Sequence, residues 1–175
     1  LYCYTGEASL WDARTGQAVA APLGDRSASV VQGGFSADGR LGYSMLAESA
    51  VRFWSPAQGS PLETRRLPDR SSDPALAMAG LRADGRMALL AGWSGTVHLL
   101  GLEPGQADGP VLRHADMVHF AEFAPDGQRV ATGDRSGLVR LWNAHPELAA
   151  QTLRHGAAIV SAGFSPDGSR IMTAG

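Results

Sequence analysis

The stretch RHADMVHFAEF at 113–123 places His114, His119 and Glu122 close together, the residue types of a two-histidine, one-carboxylate metal site. If the stretch is a β-strand, His119 and Glu122, three positions apart, point to opposite faces and cannot converge on one ion. No metal site is expected. GWSG at 92–95 approaches a nucleophile elbow, but the closing glycine is out of register and the motif needs a strand-to-helix turn. Ser94 therefore reads as a turn residue. The chain carries no Gly-rich phosphate loop, kinase signature or Cys-x-x-Cys pair. The single cysteine, Cys3, excludes an intramolecular disulfide framework and a cysteine zinc site, and reads as a small apolar residue near a strand end. No catalytic residue and no cofactor is assigned.

The elements that would position these residues follow from composition and repetition. The 175 residues are 44% hydrophobic and 18% charged, inside the globular range. A formal net charge of -2 provides no global field for nucleic acid, and the basic residues are scattered singly apart from Arg65 and Arg66. No apolar run approaches the roughly 18 to 20 residues of a membrane span, and no signal-like start is present, so a cytoplasmic chain without membrane insertion is expected. All 15 basic residues are arginine, and isoleucine occurs only at Ile159 and Ile171, a pattern of GC-rich coding that suggests a high-GC bacterium. The first residue is Leu1, which suggests processing or truncation.

An Asp-Gly turn recurs as FSADG at 35–39, LRADG at 81–85, FAPDG at 123–127 and FSPDG at 164–168, with starts 46, 42 and 41 residues apart. Nineteen positions after each of the first three starts stands a large apolar residue: Trp54, Leu100 and Trp142. GEASLWDARTG, containing Trp11, matches the later part of the unit. Such self-similarity marks a repeat architecture. Each unit reads as four short strands, A to D, separated by Gly, Pro and Asp. In the third complete unit these are Val118–Phe123, Arg129–Gly133, Leu138–Trp142 and Leu148–Leu153. Asp38, Asp84, Asp126 and Asp167 occupy the A–B turns, where a short carboxylate can accept nearby backbone N–H groups.

A unit of about 40 to 45 residues with a Trp closing its third strand resembles the WD-repeat family, through FSPDG, GLVRLW and SLWDARTG. The resemblance implies an all-β propeller of four-stranded antiparallel blades. The units fall at 1–23 (partial), 24–66, 67–112, 113–153 and 154–175 (partial), about four blades' worth. WD-repeat propellers usually have about seven blades, so an incomplete arc of a larger propeller is expected, rather than a closed four-bladed ring. Open strand edges would favour self-association. The stretch RRLPDRSSDPALAM at 65–78 reads as a long surface loop.

The family carries an Asp in the B–C turn, joined to a His, a Ser or Thr of strand B and the Trp. Counted six residues before the Trp, that place holds Thr5, Glu48, Ser94 and Ser136. The expectation is a weakened network of His114, Thr132, Ser136 and Trp142, with a hydroxyl in place of the carboxylate, a half-copy at His155 and Thr173, and less rigid blades. The residue preceding each of those places faces the top surface in the family and often contacts partners: Tyr4, Ala47, Trp93 and Arg135, with His119 and Asp116 beside them. Tyr, Trp and Arg are also the types enriched in binding hot spots.

The function implied is a non-catalytic scaffold or regulatory propeller module that binds a protein or peptide, in another chain or another domain of the same chain. In bacteria such repeats often follow a kinase, peptidase or NTPase domain. The alternative is part of a lactonase- or hydrolase-like propeller enzyme whose active-site residues lie in other blades.

Overall fold

A computed structural model of the chain describes residues 8–19, 30–46, 50–66, 76–143 and 151–175. Tyr4, Thr5, Ala47, Glu48 and Cys3 lie outside them. All regular structure among the described residues is strand, and no helix is long and apolar enough to cross a membrane. Strands β1 (Val30–Phe35), β2 (Gly42–Leu46), β3 (Ala50–Ser55) and β4 (Ser60–Arg66) form sheet I in sequence order. Sheet II follows the same plan with β5 (Leu76–Leu81), β6 (Met87–Gly92), β7 (Thr96–Gly101) and β8 (Val111–Arg113). Sheet III comprises β9 (Val118–Phe123), β10 (Arg129–Asp134), β11 (Leu138–Asn143) and β12 (Gln151–Arg154), and β13 (Ser161–Phe164) pairs with β14 (Ile171–Ala174).

The A–B turns form as their composition dictates. Gly39, Gly85, Gly127 and Gly168 all take positive φ, a conformation that costs glycine little. In each turn the aspartate accepts the backbone N–H two residues on: Arg40 to Asp38, Arg86 to Asp84, Gln128 to Asp126 and Ser169 to Asp167, at 2.8–3.0 Å. Hydrogen bonds from Ser165 and Ser169 hold the Asp167 carboxyl down to about 2.

Three strands of sheet III match the sequence reading to within one residue. The fourth, expected at Leu148–Leu153, is strand over Gln151–Arg154, and its first expected residues, 148–150, lie outside the described set. The stretch at 65–78 is not all loop: β4 continues through Arg66 and β5 begins at Leu76.

The chain divides into two compact units, Leu1–Leu76 and Ala77–Gly175. The first contains sheet I and a short turn in which Trp11 bridges Ala18 and Asp12 accepts the N–H groups of Arg14 and Thr15. In the second, sheets II and III pack through Leu89, Val97, Leu99 and Leu112 on one side and Val118, Phe123, Val130 and Trp142 on the other. The opposite face of sheet III, with Phe120, Ala131 and Val139, packs on Ile159, Phe164 and Ile171. Side chains alternating along β10 thus serve two seams, Val130 one and Ala131 the other. A bulge between Gly133 and Asp134 resets the pairing with β9, so that Val118 and Ala121, three apart, share a face.

Candidate functional site

Two groups of side chains in the second unit deserve a functional reading: a buried polar network in sheet III and the rim formed by its B–C turns. The network begins at Thr132, buried on β10 opposite Arg140. The indole N–H of Trp142 can only donate, and it donates to Thr132 Oγ1 at 2.7 Å. The Thr132 hydroxyl then points its proton at His114 Nε2, 2.6 Å away. His114 Nδ1 carries the remaining ring proton and donates it to Asp134 Oδ2 at 2.7 Å. The other oxygen, Asp134 Oδ1, accepts the Ser136 hydroxyl at 2.6 Å and the backbone N–H groups of Ser136 and Leu138.

This arrangement corrects the expected substitution of a hydroxyl for the carboxylate. The acid is present; it is Asp134, eight residues before Trp142, and Ser136 is its donor rather than its replacement. Burial would raise the Asp134 carboxyl, but hydrogen bonds from Ser136, His114 and Leu138 outweigh it and hold the group below the ordinary carboxylate range. Burial pushes His114 below the usual imidazole range, against the pull of Asp134, and keeps the ring neutral. Both ring nitrogens of His114 are occupied, so it has no lone pair for a metal. His119 and Glu122 are both exposed on β9, and among the described residues no group of His, Cys, Asp and Glu is placed to hold an ion.

The other sheets depart from this pattern in different ways. In sheet I, Trp54 donates to Ser44 at 2.9 Å, while Leu46 stands where Asp134 does. In sheet II the equivalent places are Leu90, Gly92 and Leu100, and all three are buried. His155 meets Thr173 at 2.8 Å, repeating the imidazole-to-threonine contact beside β14.

The rim is assembled by backbone contacts. The turn Trp93–Ser94–Gly95 joins β6 to β7, strand to strand, and Ser94 Oγ bonds Thr96 Oγ1 at 2.9 Å, which leaves no nucleophile-elbow geometry. Gly95 accepts the N–H of His114 and lies so near the next loop that a Cβ there would come 2.7 Å from the Asp116 carbonyl. Asp116 caps its own loop by accepting the Met117 N–H at 2.8 Å. Arg135 N–H reaches back to the Met117 carbonyl at 2.9 Å, and the adjoining Gly137 packs against Ala157. Trp93, Asp116 and Arg135 thereby stand along one edge, with His119 exposed nearby on β9. Trp93 is 53% exposed. Arg135 directly follows the network's acid, a place different from the one counted in the sequence but the same turn.

Four-stranded antiparallel sheets in sequence order, with sheets II and III packed face to face in the second unit, have the build of β-propeller blades. Residues 110–143 match the family described as WD domain, G-beta repeat, so the chain contains a repeat of that family. The matched segment runs through β8 and then β9, β10 and β11, so one repeat supplies the last strand of one sheet and the first three of the next. Comparison with curated proteins returns no match. WD repeats generally mediate protein–protein interaction.

Proposed function

We propose that this chain is a non-catalytic interaction module, a scaffold or regulatory segment, that holds a protein or peptide partner on the rim carrying Trp93 and Arg135. The partner belongs to another chain or to another domain of the same polypeptide. The observation that carries the reading is the exposure of Trp93 in a two-strand turn whose backbone is fixed on both sides. An exposed indole on a rigid support offers apolar area to a partner with little conformational ordering. The network gives no competing enzymatic reading, because each of its polar atoms is engaged internally.

A photo-cross-linking amino acid placed at position 93, with a control at position 126 in an A–B turn, tests this in the cells that make the protein. Protein adducts from position 93 and not from position 126 are expected. Adducts only from position 126 would move the docking surface to the other rim. Trp93→Ala should weaken capture of the adduct partner while leaving the protein folded by circular dichroism.

A further inference from the structure

Charge is distributed unequally between the two ends of the sheets in the Ala77–Gly175 unit. At the A–B end three arginines are paired with acids, Arg82 with Asp84 at 2.8 Å, Arg129 with Asp126 at 2.7 Å and Arg86 with Glu103 at 3.1 Å, while Arg170 shares the β13–β14 turn with Asp167 without an ion pair among the described residues. The B–C end has a different balance. Arg113 and Arg154 are the last residues of β8 and β12, each paired with a residue just past a B–C turn, Thr96 and Leu138. Both are exposed, as is Arg135 in the turn between them, and none of the three has an ion-pair partner among the described residues. The acids at this end are Asp134, buried and committed to His114, and Asp116, half-buried and capping its loop.

We infer that the rim selects an acidic protein segment, one whose carboxylates meet Arg113, Arg135 and Arg154 while an apolar side chain of the same segment covers Trp93. This rests on the interaction reading above and names the chemistry of the partner. Guanidinium groups pair with carboxylates through two parallel hydrogen bonds, and complementary fields speed encounter while excluding basic partners. Trp93 contributes the apolar contact that charge alone lacks, so affinity has a salt-sensitive and a salt-insensitive part. Nucleic acid is a poorer match, since one aromatic ring and three separated arginines on a chain of net charge -2 offer no continuous phosphate track.

The experiment uses the full chain and fluorescence anisotropy with four labelled probes of equal length: alternating Glu and Leu, alternating Lys and Leu, alternating Ser and Leu, and a single-stranded oligonucleotide. The Glu-Leu peptide should bind most tightly, with affinity falling about tenfold as salt rises from low to physiological ionic strength. Charge reversal by Arg135→Glu or Arg113→Glu should weaken it at least several-fold, while Asp126→Asn at the other end leaves it unchanged. Circular dichroism of each variant separates lost binding from lost fold. Equal binding of the Ser-Leu and Glu-Leu peptides, with Trp93→Ala abolishing both, overturns the acidic preference and leaves the interaction reading standing. Indifference of Glu-Leu binding to Trp93→Ala and to both reversals overturns both readings. Tighter binding of the oligonucleotide overturns the choice of a protein segment.

Discussion

Sheets II and III solve the same packing problem with opposite chemistry. Where sheet III places Thr132, Asp134 and Trp142, sheet II places Leu90, Gly92 and Leu100 in the same ladder positions: Leu90 faces His98 as Thr132 faces Arg140, and Ala88 faces Leu100 as Val130 faces Trp142. The polar version requires every donor and acceptor to be paired, and a half-satisfied network is worse than an apolar core. The hydrocarbon version requires only volume. Loss of the family motif in sheet II is therefore not a loss of packing: every residue of β6 is buried.

Removing one member of the network should give the largest effect. Asp134→Ala leaves the buried His114 donor unpaired and should destabilise the Ala77–Gly175 unit by about 3 kcal/mol, read from urea denaturation. Replacing the set together, with His114, Thr132 and Trp142 changed to Leu and Asp134 to Gly, should cost less than Asp134→Ala alone. A larger cost for the combined change would break the equivalence of the two sheets. Next in size, Leu90→Thr introduces an unpartnered hydroxyl into sheet II and should cost about 2 kcal/mol, measured in the same way.

The comparison also predicts a pH response. His114 and Asp134 both have folded values below their ordinary 6.5 and 3.8. Folding is therefore favoured above those values, and the contribution declines as pH falls, first below about 6.5 through His114 and then below 3.8 through Asp134. The melting temperature should drop between pH 7 and pH 5 in the native chain, and the drop should be smaller in the combined variant, which carries neither group. The smallest effect belongs to the rim: Trp93→Ala and Arg135→Ala should each change stability by no more than about 0.5 kcal/mol, in contrast with the interior changes.

The sequence made the strands of sheet III legible because apolar runs and Asp-Gly turns recur at nearly constant spacing. Asp134 escaped for a physical reason. Counting back from Trp142 landed on Ser136, inside the turn, whereas strand alternation puts Thr132 and Asp134, two apart on β10, on one face. The pair TGD was the available signal. Trp93 was visible as a residue type in a turn, but its exposure depended on how closely the next loop packs. The charge difference between the two ends was not legible, because the ion pairs at the A–B end join residues that composition counts separately.

Each seam in the second unit is fastened at both ends. At one end Arg82 lies over Gly127, and Arg129 donates to the Gly168 carbonyl at 3.0 Å; at the other, Gly95 and Gly137 press their backbones against the following loops. A seam held at a single end could swing open like a door. Held at two, it resists pivoting, so sheet II, sheet III and the β13–β14 pair move together within the second unit.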